Sequence, residues 1–137
     1  MALSLLDLVR VDFRTSKAAD NLNTRLQGLL NLPHRYGPAR LALGRSMGIR
    51  TRPELELTTL GFGKPIKGEN LFGQGPELAT WITLLAEHAG GTDMSRRELQ
   101  HDVAAHWHRG VYLLWEDWRA AANDFDAFVS RMVRLAS

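Results

Sequence analysis

The feature that most constrains this fold is one long apolar stripe in the last third of the chain. Its members recur every three or four residues, the spacing of one face of an α-helix; they are Leu99, Val103, Trp107, Val111, Leu114 and Trp118. Residues 95–98 (SRRE) precede the stripe and match a capping box, in which serine and glutamate satisfy free N–H groups at the start of a helix. The sequence therefore predicts a long helix here, in a chain of 137 residues that is large enough to bury its own core.

Four further helices are predicted from apolar stripes that have recognisable start and stop residues. Their boundaries are Thr15 or Ser16 to Asn31, Gly37-Pro38 to Gly48, Pro76-Glu77 to Gly90-Gly91, and Asn123-Asp124 onward. In the last of these helices the residues expected to face inward are Phe125, Phe128, Val129, Met132 and Val133.

Two segments lack a helical pattern. Residues 8–14 alternate apolar and charged side chains, which predicts a strand with Val9, Val11 and Phe13 facing the core. Residues 54–76 are rich in glycine, which indicates a loop or a short irregular hairpin. We therefore expect a mainly α, compact single-domain helical fold over residues 1–137, with a short N-terminal extended segment and an irregular glycine-rich hairpin or loop in the middle. Residues 119–137 are expected to include an extra C-terminal helix.

Positive charge is concentrated in one stretch. Residues 21–53 contain no Asp or Glu but six arginines, which are Arg25, Arg35, Arg40, Arg45, Arg50 and Arg52. This stretch has a charge of +6, whereas the 11 basic and 15 acidic residues elsewhere give −4. Arginine outnumbers lysine by 14 to 3 in the whole chain, and its planar guanidinium can hold two phosphate oxygens at once. Three interpretations stay open: a surface for a phosphate-bearing partner, a solvated basic face, or arginines paired with acids elsewhere in the fold.

The sequence shows no motif of an enzyme, a metalloprotein or a membrane protein. It contains no cysteine, so this chain cannot carry a persulfide or supply thiolates to an iron–sulfur cluster. His101, Asp102, His106 and His108 have metal-ligand side chains, but their spacing does not match a zinc site such as HExxH. No apolar run is long enough for a membrane span, and residues 1–9 lack the basic start of a secretory signal. We expect a cytoplasmic protein that is not an enzyme and uses no cofactor.

Three stretches of the sequence together resemble a known family. They are residues 10–17 (RVDFRTSK), residues 37–46 (GPARLALGRS), and residues 63–66 (GKPI) followed by 71–73 (LFG), with His106 and Arg109-Gly110 in a later helix. Their order and spacing resemble the DNA sulfur modification protein DndE family, over roughly residues 8–118. Two features differ from the family pattern: the helix after Asn123 is an addition, and basic positions that are lysine-rich in the family are often arginine here.

The resemblance implies an oligomeric, mostly helical DNA-binding component of DNA phosphorothioation, which replaces a non-bridging phosphate oxygen with sulfur. It implies tetramers, a preference for nicked duplex DNA, and partners in the same modification system: a cysteine desulfurase, an iron–sulfur sulfurtransferase-like protein and an ATPase. Backbone binding would position such a protein on DNA without reading its sequence. The candidate phosphate-binding residues are Lys17, Arg25, Arg35, Arg40, Arg50, Arg52, Lys64 and Lys67, followed by Arg10 and Arg14. Arg45 lies about 140° from Arg40 around their helix, and we expect it to be structural or to contact another subunit.

Three other functions stay open from the sequence. A strand followed by helices is typical of ribbon-helix-helix repressors, in which the ribbon of a dimer enters the major groove, and Arg10, Asp12 and Arg14 would then read bases. A metal-dependent nuclease would use the histidines and aspartate between residues 101 and 108. A docking scaffold would present its arginines to acidic surfaces of partner proteins.

Overall fold

The computed structural model describes residues 4–56, 61–91 and 93–136. These residues form seven helices and one two-stranded sheet. The elements in chain order are α1 (Leu5–Leu8), β1 (Asp12–Phe13), α2 (Lys17–Leu29), α3 (Tyr36–Met47), β2 (Ile66–Lys67), α4 (Gly68–Leu71), α5 (Pro76–His88), α6 (Arg96–Ala120) and α7 (Phe125–Leu135). The predicted mainly α fold is confirmed. No membrane-spanning candidate occurs among the helices of the described ranges.

Helix α6 is the long helix predicted from the sequence, and its whole apolar stripe is buried. The capping box is formed: Glu98 N donates to Ser95 Oγ and Ser95 N donates to Glu98 Oε1, each at 3.1 Å. Helix α3 packs most extensively against α6, and α2 comes next. Trp107 is fully buried, and its Nε1 donates to Asn23 Oδ1 on α2 at 3.1 Å. The indole therefore keeps a hydrogen-bond partner inside the core.

The crossing of α3 over α6 depends on a glycine. Gly110 of α6 lies against Ala42 of α3, and a Cβ atom at Gly110 would overlap the Ala42 carbonyl oxygen. Ala39 and Ala42 are themselves fully buried, so α3 also presents small side chains. Because any side chain at Gly110 would push the two backbones apart, this glycine determines how α3 and its arginines sit on α6.

The N-terminal segment contains less strand than the alternation predicted. Of the predicted strand residues 8–14, Leu8 belongs to the helix α1, and β1 consists only of Asp12 and Phe13, which pair antiparallel with β2. The predicted sides are correct, since Phe13 is buried and Asp12 is exposed. The ladder is short because the carbonyl oxygens of Val9 and Val11 accept hydrogen bonds from the first two N–H groups of α4 and not from a strand.

The strand pairing bears on the ribbon-helix-helix interpretation. In a ribbon-helix-helix dimer the ribbon is built from one strand of each copy. Here β1 pairs with β2 of its own chain. The arrangement that would present residues 10–14 to a major groove is therefore not the one that this chain forms.

The glycine-rich middle segment is described in part. Residues 57–60 of this segment lie outside the described residues. Residues 61–65 form a loop that leads into β2 and α4. The segment thus joins the N-terminal strand through β2, which places Lys67 opposite Asp12, while Lys64 N bonds the Asp20 carboxylate of α2.

Helix α7 forms as predicted but buries only a narrow face. Phe128 packs edge-on against Trp118 of α6, with ring centroids 5.7 Å apart. The prediction that Phe125, Val129 and Val133 face inward is wrong, because all three are exposed. Helix α7 packs mainly against the single helix α6, and one neighbour covers only one stripe of a helix surface.

Candidate nucleic-acid interface

The ten predicted phosphate-binding side chains fall into two groups by what they contact. Five have polar or charged partners, and these are Arg14, Arg35, Arg40, Arg52 and Lys67. The other five are exposed and make no side-chain hydrogen bond or ion pair with any described residue; they are Arg10, Lys17, Arg25, Arg50 and Lys64.

Residues 61–65 (GFGKP) form a loop that is fixed against the start of α2. Two backbone hydrogen bonds join it to residues 15–17: Lys17 N donates to Gly61 O at 3.2 Å and Gly63 N donates to Thr15 O at 2.9 Å, and together they pair Phe62 with Ser16 in an antiparallel bridge. The two loop residues that make these hydrogen bonds, Gly61 and Gly63, lie on either side of Phe62. The loop backbone is therefore held in place relative to the helix.

Asp20, in the first turn of α2, organises the same loop with its carboxylate. Its Oδ2 accepts a hydrogen bond from Lys64 N at 3.0 Å, and its Oδ1 accepts one from an Arg35 guanidinium nitrogen at 2.6 Å. Gly63 lies so close that a Cβ atom there would overlap the Asp20 side chain. Asp20 is buried, so its negative charge is directed toward the loop and the guanidinium and away from solvent.

Four basic residues lie in this loop or directly beside it, and we call Arg14, Lys17, Arg35 and Lys64 the basic loop face. A guanidinium nitrogen of Arg14 donates to Gly63 O at 3.1 Å. Arg35 donates to Lys64 O at 3.2 Å and to Pro65 O at 3.3 Å, in addition to its bond with Asp20. Lys17 and Lys64 are exposed. Four positive charges against one buried carboxylate leave this small surface with a local charge of +3.

Arg40 lies next to this face, but its guanidinium already makes two hydrogen bonds and a contact with an aromatic ring. Its Nε donates to Leu71 O at 2.8 Å and a terminal nitrogen donates to Asn70 O at 3.0 Å, at the C-terminal end of α4. The guanidinium also lies over the Tyr36 ring, 4.4 Å from the centroid. A cleft of about 520 Å³, lined in part by Arg35, Tyr36 and Asn70, connects this region with the basic loop face. Arg40 therefore adds positive charge to the edge of the face while bracing α4 against α3.

Arg52 does not contact the loop but joins a buried polar network between α3 and α6. It donates to Asp102 Oδ1 at 3.1 Å, and about half of its side chain stays exposed. Arg109 Nε donates to Ser46 Oγ at 2.8 Å, so the Ser46 hydroxyl hydrogen is free to bond His106 Nδ1, also at 2.8 Å. The neutral His106 ring then carries its proton on Nε2, 3.7 Å from Asp102 Oδ2.

The environment of His106 holds it in the neutral state. Burial, the neighbouring His88 ring at 4.6 Å, and the positive charges of Arg109 and Arg52 together lower the pKa of His106 to about 3. Burial also lowers the pKa of His108, whose Nδ1 lies 2.6 Å from the hydroxyl oxygen of Ser16. These two histidines are thus hydrogen-bonding groups that join α6 to α3 and to the start of α2.

Ser46, His106 and Asp102 have the residue types of a hydrolase triad, but their positions do not suit one. Ser46 and His106 are 0% exposed and Asp102 is 3% exposed, so a substrate could not reach the hydroxyl. Among the described residues no group of three or more His, Asp or Glu side chains is placed to hold a metal ion. The hydrogen bonds of this network instead connect α3 to α6.

Two arginines of the acid-free stretch, Arg45 and Arg25, make their contacts away from the loop. Arg45 Nε donates to Asp117 Oδ2 at 2.9 Å, while Arg131 of α7 donates to Asp117 Oδ1 at 2.8 Å. Arg45 thus has a structural contact, on a different side of α3 from Arg40, as the helical spacing predicted. The guanidinium of Arg25 lies over the Trp115 ring at 4.7 Å, toward the C-terminal half of α6.

Three residues at this surface were missed by sequence reasoning. Asp20 gave only a weak signal, since an acid in the first turn of a helix is common. Arg97 counted only as part of the capping box, yet it lines a cleft together with Arg14 and Phe62. Phe62 is 55% exposed, which a single phenylalanine between two glycines could not reveal.

One comparison with known proteins gives a match. A family model described as DNA sulphur modification protein DndE matches residues 12–121, from β1 to the end of α6. No significant match was found among curated proteins or among solved structures. Because the matched range covers most of the 137 residues, the chain belongs to the DndE family and has a part in DNA sulfur modification.

Proposed function

We propose that this chain is a non-enzymatic, DNA-binding component of DNA sulfur modification, and that its basic loop face contacts the phosphate backbone of duplex DNA. One observation carries the proposal: four basic residues lie in or directly beside a loop whose backbone is fixed to α2, with one buried carboxylate among them. A fixed positive surface of this kind neutralises phosphates and releases counterions at little entropic cost.

The surface differs from the one that charge counting alone suggested. Arg35, Arg45 and Arg52 of the acid-free stretch pair with Asp20, Asp117 and Asp102 respectively. The net outward charge of this stretch is therefore smaller than +6. Residues from outside it, above all Lys17 and Lys64, supply free positive charge close to Arg35. Such contacts position a protein on DNA without selecting a sequence, and the choice of modification site then belongs to its partner proteins.

Two observations support a role without catalysis. The chain has no cysteine to carry sulfur, so sulfur transfer falls to other proteins of the system. The arrangement of Ser46, His106 and Asp102 is closed to solvent. We propose that the chain holds DNA, in the cytoplasm where the DNA and the other modification proteins meet.

Self-association and a preference for nicked duplex complete the proposal. Helix α7 exposes Phe125, Val129 and Val133 along one side, and exposed apolar patches of this kind commonly mark protein–protein contacts. Four copies would multiply the basic loop face into a broad positive surface. Light scattering with and without a nicked duplex tests this: a mass near four chains is expected, and a monomer under both conditions contradicts it.

The DNA-binding role is tested by fluorescence anisotropy on intact and nicked duplexes of one sequence. The double variant Lys17→Ala/Lys64→Ala should bind both DNAs more weakly than the parent protein. The matched control is Arg119→Ala/Arg134→Ala, which removes two equally exposed cations from the ends of α6 and α7. Equal weakening by both double variants would show that only total charge matters and would contradict the assigned face. Incubation with plasmid and Mg²⁺, Mn²⁺ or Zn²⁺ should leave the strands uncut.

A further inference from the structure

A second surface feature adjoins the basic loop face and differs from it in chemistry. It is a cleft of about 340 Å³ between the loop at Phe62 and the N-terminal half of α6. Arg14 and Arg97 line it, together with Asp12, Gln100 and His101. Its volume is at the lower end of the range of about 300–1,000 Å³ that is typical of small-molecule sites.

The aromatic wall of the cleft is exposed on a fixed backbone. Phe62 is 55% exposed, although hydrogen bonds hold the loop to residues 15 and 17 on either side of it. Exposing about half of a phenylalanine residue costs hydrophobic free energy unless its ring has a partner. The loop therefore presents a flat apolar face beside two arginines, which is the combination that proteins use to hold unstacked bases.

The polar groups of the cleft fit the other parts of a nucleotide. Arg14 is oriented by its bond to Gly63 O, and Arg97 makes no hydrogen bond or ion pair with any described residue, so both can meet a phosphate. Gln100 Nε2 donates to Asp12 O at 2.9 Å, and the Gln100 carbonyl oxygen accepts no hydrogen bond from any described residue, so it is available as an acceptor. That acceptor suits a base with an exocyclic amino group.

We propose that this cleft binds one unstacked nucleotide, with its base against the Phe62 ring and its phosphate at Arg14 and Arg97. The inference rests on the proposed DNA-binding function and extends it: the basic loop face holds paired backbone, and the cleft accepts a nucleotide that has left the stack. Base–aromatic stacking contributes enough that losing the ring should weaken binding of such a nucleotide by about 5- to 150-fold.

The test compares two duplexes that differ only in whether one 2-aminopurine is paired or is an unpaired single-nucleotide bulge. The parent protein should quench the fluorescence of the unpaired 2-aminopurine on binding, because the base stacks on Phe62. Phe62→Leu should abolish the quenching and weaken binding of the bulged duplex, while affinity for the paired duplex stays within about twofold. Phe62→Trp should restore both, and Arg97→Ala should weaken the bulged duplex selectively. Circular dichroism melting checks that each variant is folded.

Each outcome separates this inference from the proposed function. Failure of the parent protein to bind either duplex contradicts the DNA-binding function itself. Binding of both duplexes with no quenching, or equal weakening of both by Phe62→Leu, contradicts only the nucleotide cleft. A light-scattering mass that drops in Phe62→Leu would show a subunit contact at this ring and would also overturn the inference. Competition by free dAMP would identify a mononucleotide site, whereas no competition, with the Phe62 effect intact, would identify a DNA strand as the source.

Discussion

Arg35 donates a hydrogen bond to Asp20 at 2.6 Å, and this pair connects the α2–α3 junction to the loop that carries Lys64. The carboxylate faces the loop backbone on one side and the guanidinium on the other. Arg35 also donates to two carbonyl oxygens of the same loop. This ion pair therefore stabilises the surface that we propose for DNA, together with the backbone hydrogen bonds from the loop to residues 15 and 17.

Arg35→Ala is expected to destabilise the protein and to loosen the loop. The Asp20 carboxylate would lose its charged partner while buried, at a cost of about 1–3 kcal/mol. Urea unfolding measures the change. Arg50→Ala is the control, because Arg50 is exposed and has no partner among the described residues, and it should stay within about 0.5 kcal/mol of the parent. Indistinguishable midpoints for the two variants would show that the Asp20 pair does not hold the loop.

The α3–α6 crossing predicts opposite effects of two glycine-to-alanine substitutions. Gly110→Ala should destabilise the protein by about 1–3 kcal/mol, because the new Cβ overlaps the Ala42 carbonyl oxygen and forces the helices apart. Gly44→Ala should stabilise it by about 0.5–1 kcal/mol, since Gly44 lies in α3 with open space around its Cβ position. Thermal unfolding of both variants tests this, and a stable Gly110→Ala protein would refute the close crossing.

His106 predicts a loss of stability in acid. Its folded-state pKa of about 3 lies below the ordinary value of 6.5, so the unfolded chain binds a proton that the folded chain excludes. Stability attributable to this histidine is therefore full above about pH 6.5 and falls as the pH decreases toward 3, by at most about 1.4 kcal/mol per pH unit.

The measurement is urea unfolding of the parent protein and of His106→Gln between pH 7 and pH 4. The variant lacks the titrating ring, so its stability should fall less steeply over this interval. Parallel profiles of stability against pH would mean that the folded protein protonates His106 over this interval as readily as the unfolded chain does.

Asp117 predicts how α7 is attached. Its carboxylate accepts hydrogen bonds from Arg45 and from Arg131 and is 1% exposed. Asp117→Ala should cost about 1.5–3 kcal/mol and should make residues 122–135 the first site of limited proteolysis. The neighbouring exposed change Glu116→Gln should leave both properties unchanged. Cleavage at the same rate in both variants would show that α7 is held by Phe128 alone.

The sequence predicted the helices well because each apolar stripe had its own cap or terminator. The stripe of α6 and its Ser95–Glu98 box were both local signals. The burial of α7 could not be predicted, because amphipathicity shows that one face is apolar but not whether a neighbour covers it. The shortness of β1 has a similar cause. The N–H groups that bond the carbonyl oxygens of Val9 and Val11 belong to α4, more than fifty residues later in the chain.

The candidate site was also predictable only where local geometry decides it, and not where residues distant in the sequence meet. The divergence of Arg40 and Arg45 followed from helix geometry alone. The pairing of Arg35, Arg45 and Arg52 did not, because their aspartates lie 15, 72 and 50 residues away in the sequence. Charge counting finds where arginines are concentrated, and only the fold decides which of them face solvent.

The salt dependence of DNA binding shows whether the basic loop face contacts phosphates. Fluorescence anisotropy of a nicked duplex, titrated from low to high salt, should show log K falling linearly with log salt concentration. Lys17→Ala/Lys64→Ala should reduce that slope by roughly 1.8, because each phosphate contact contributes about 0.9, while Arg119→Ala/Arg134→Ala should leave it unchanged. Binding that is insensitive to salt, or no binding to duplex DNA at all, would contradict the account.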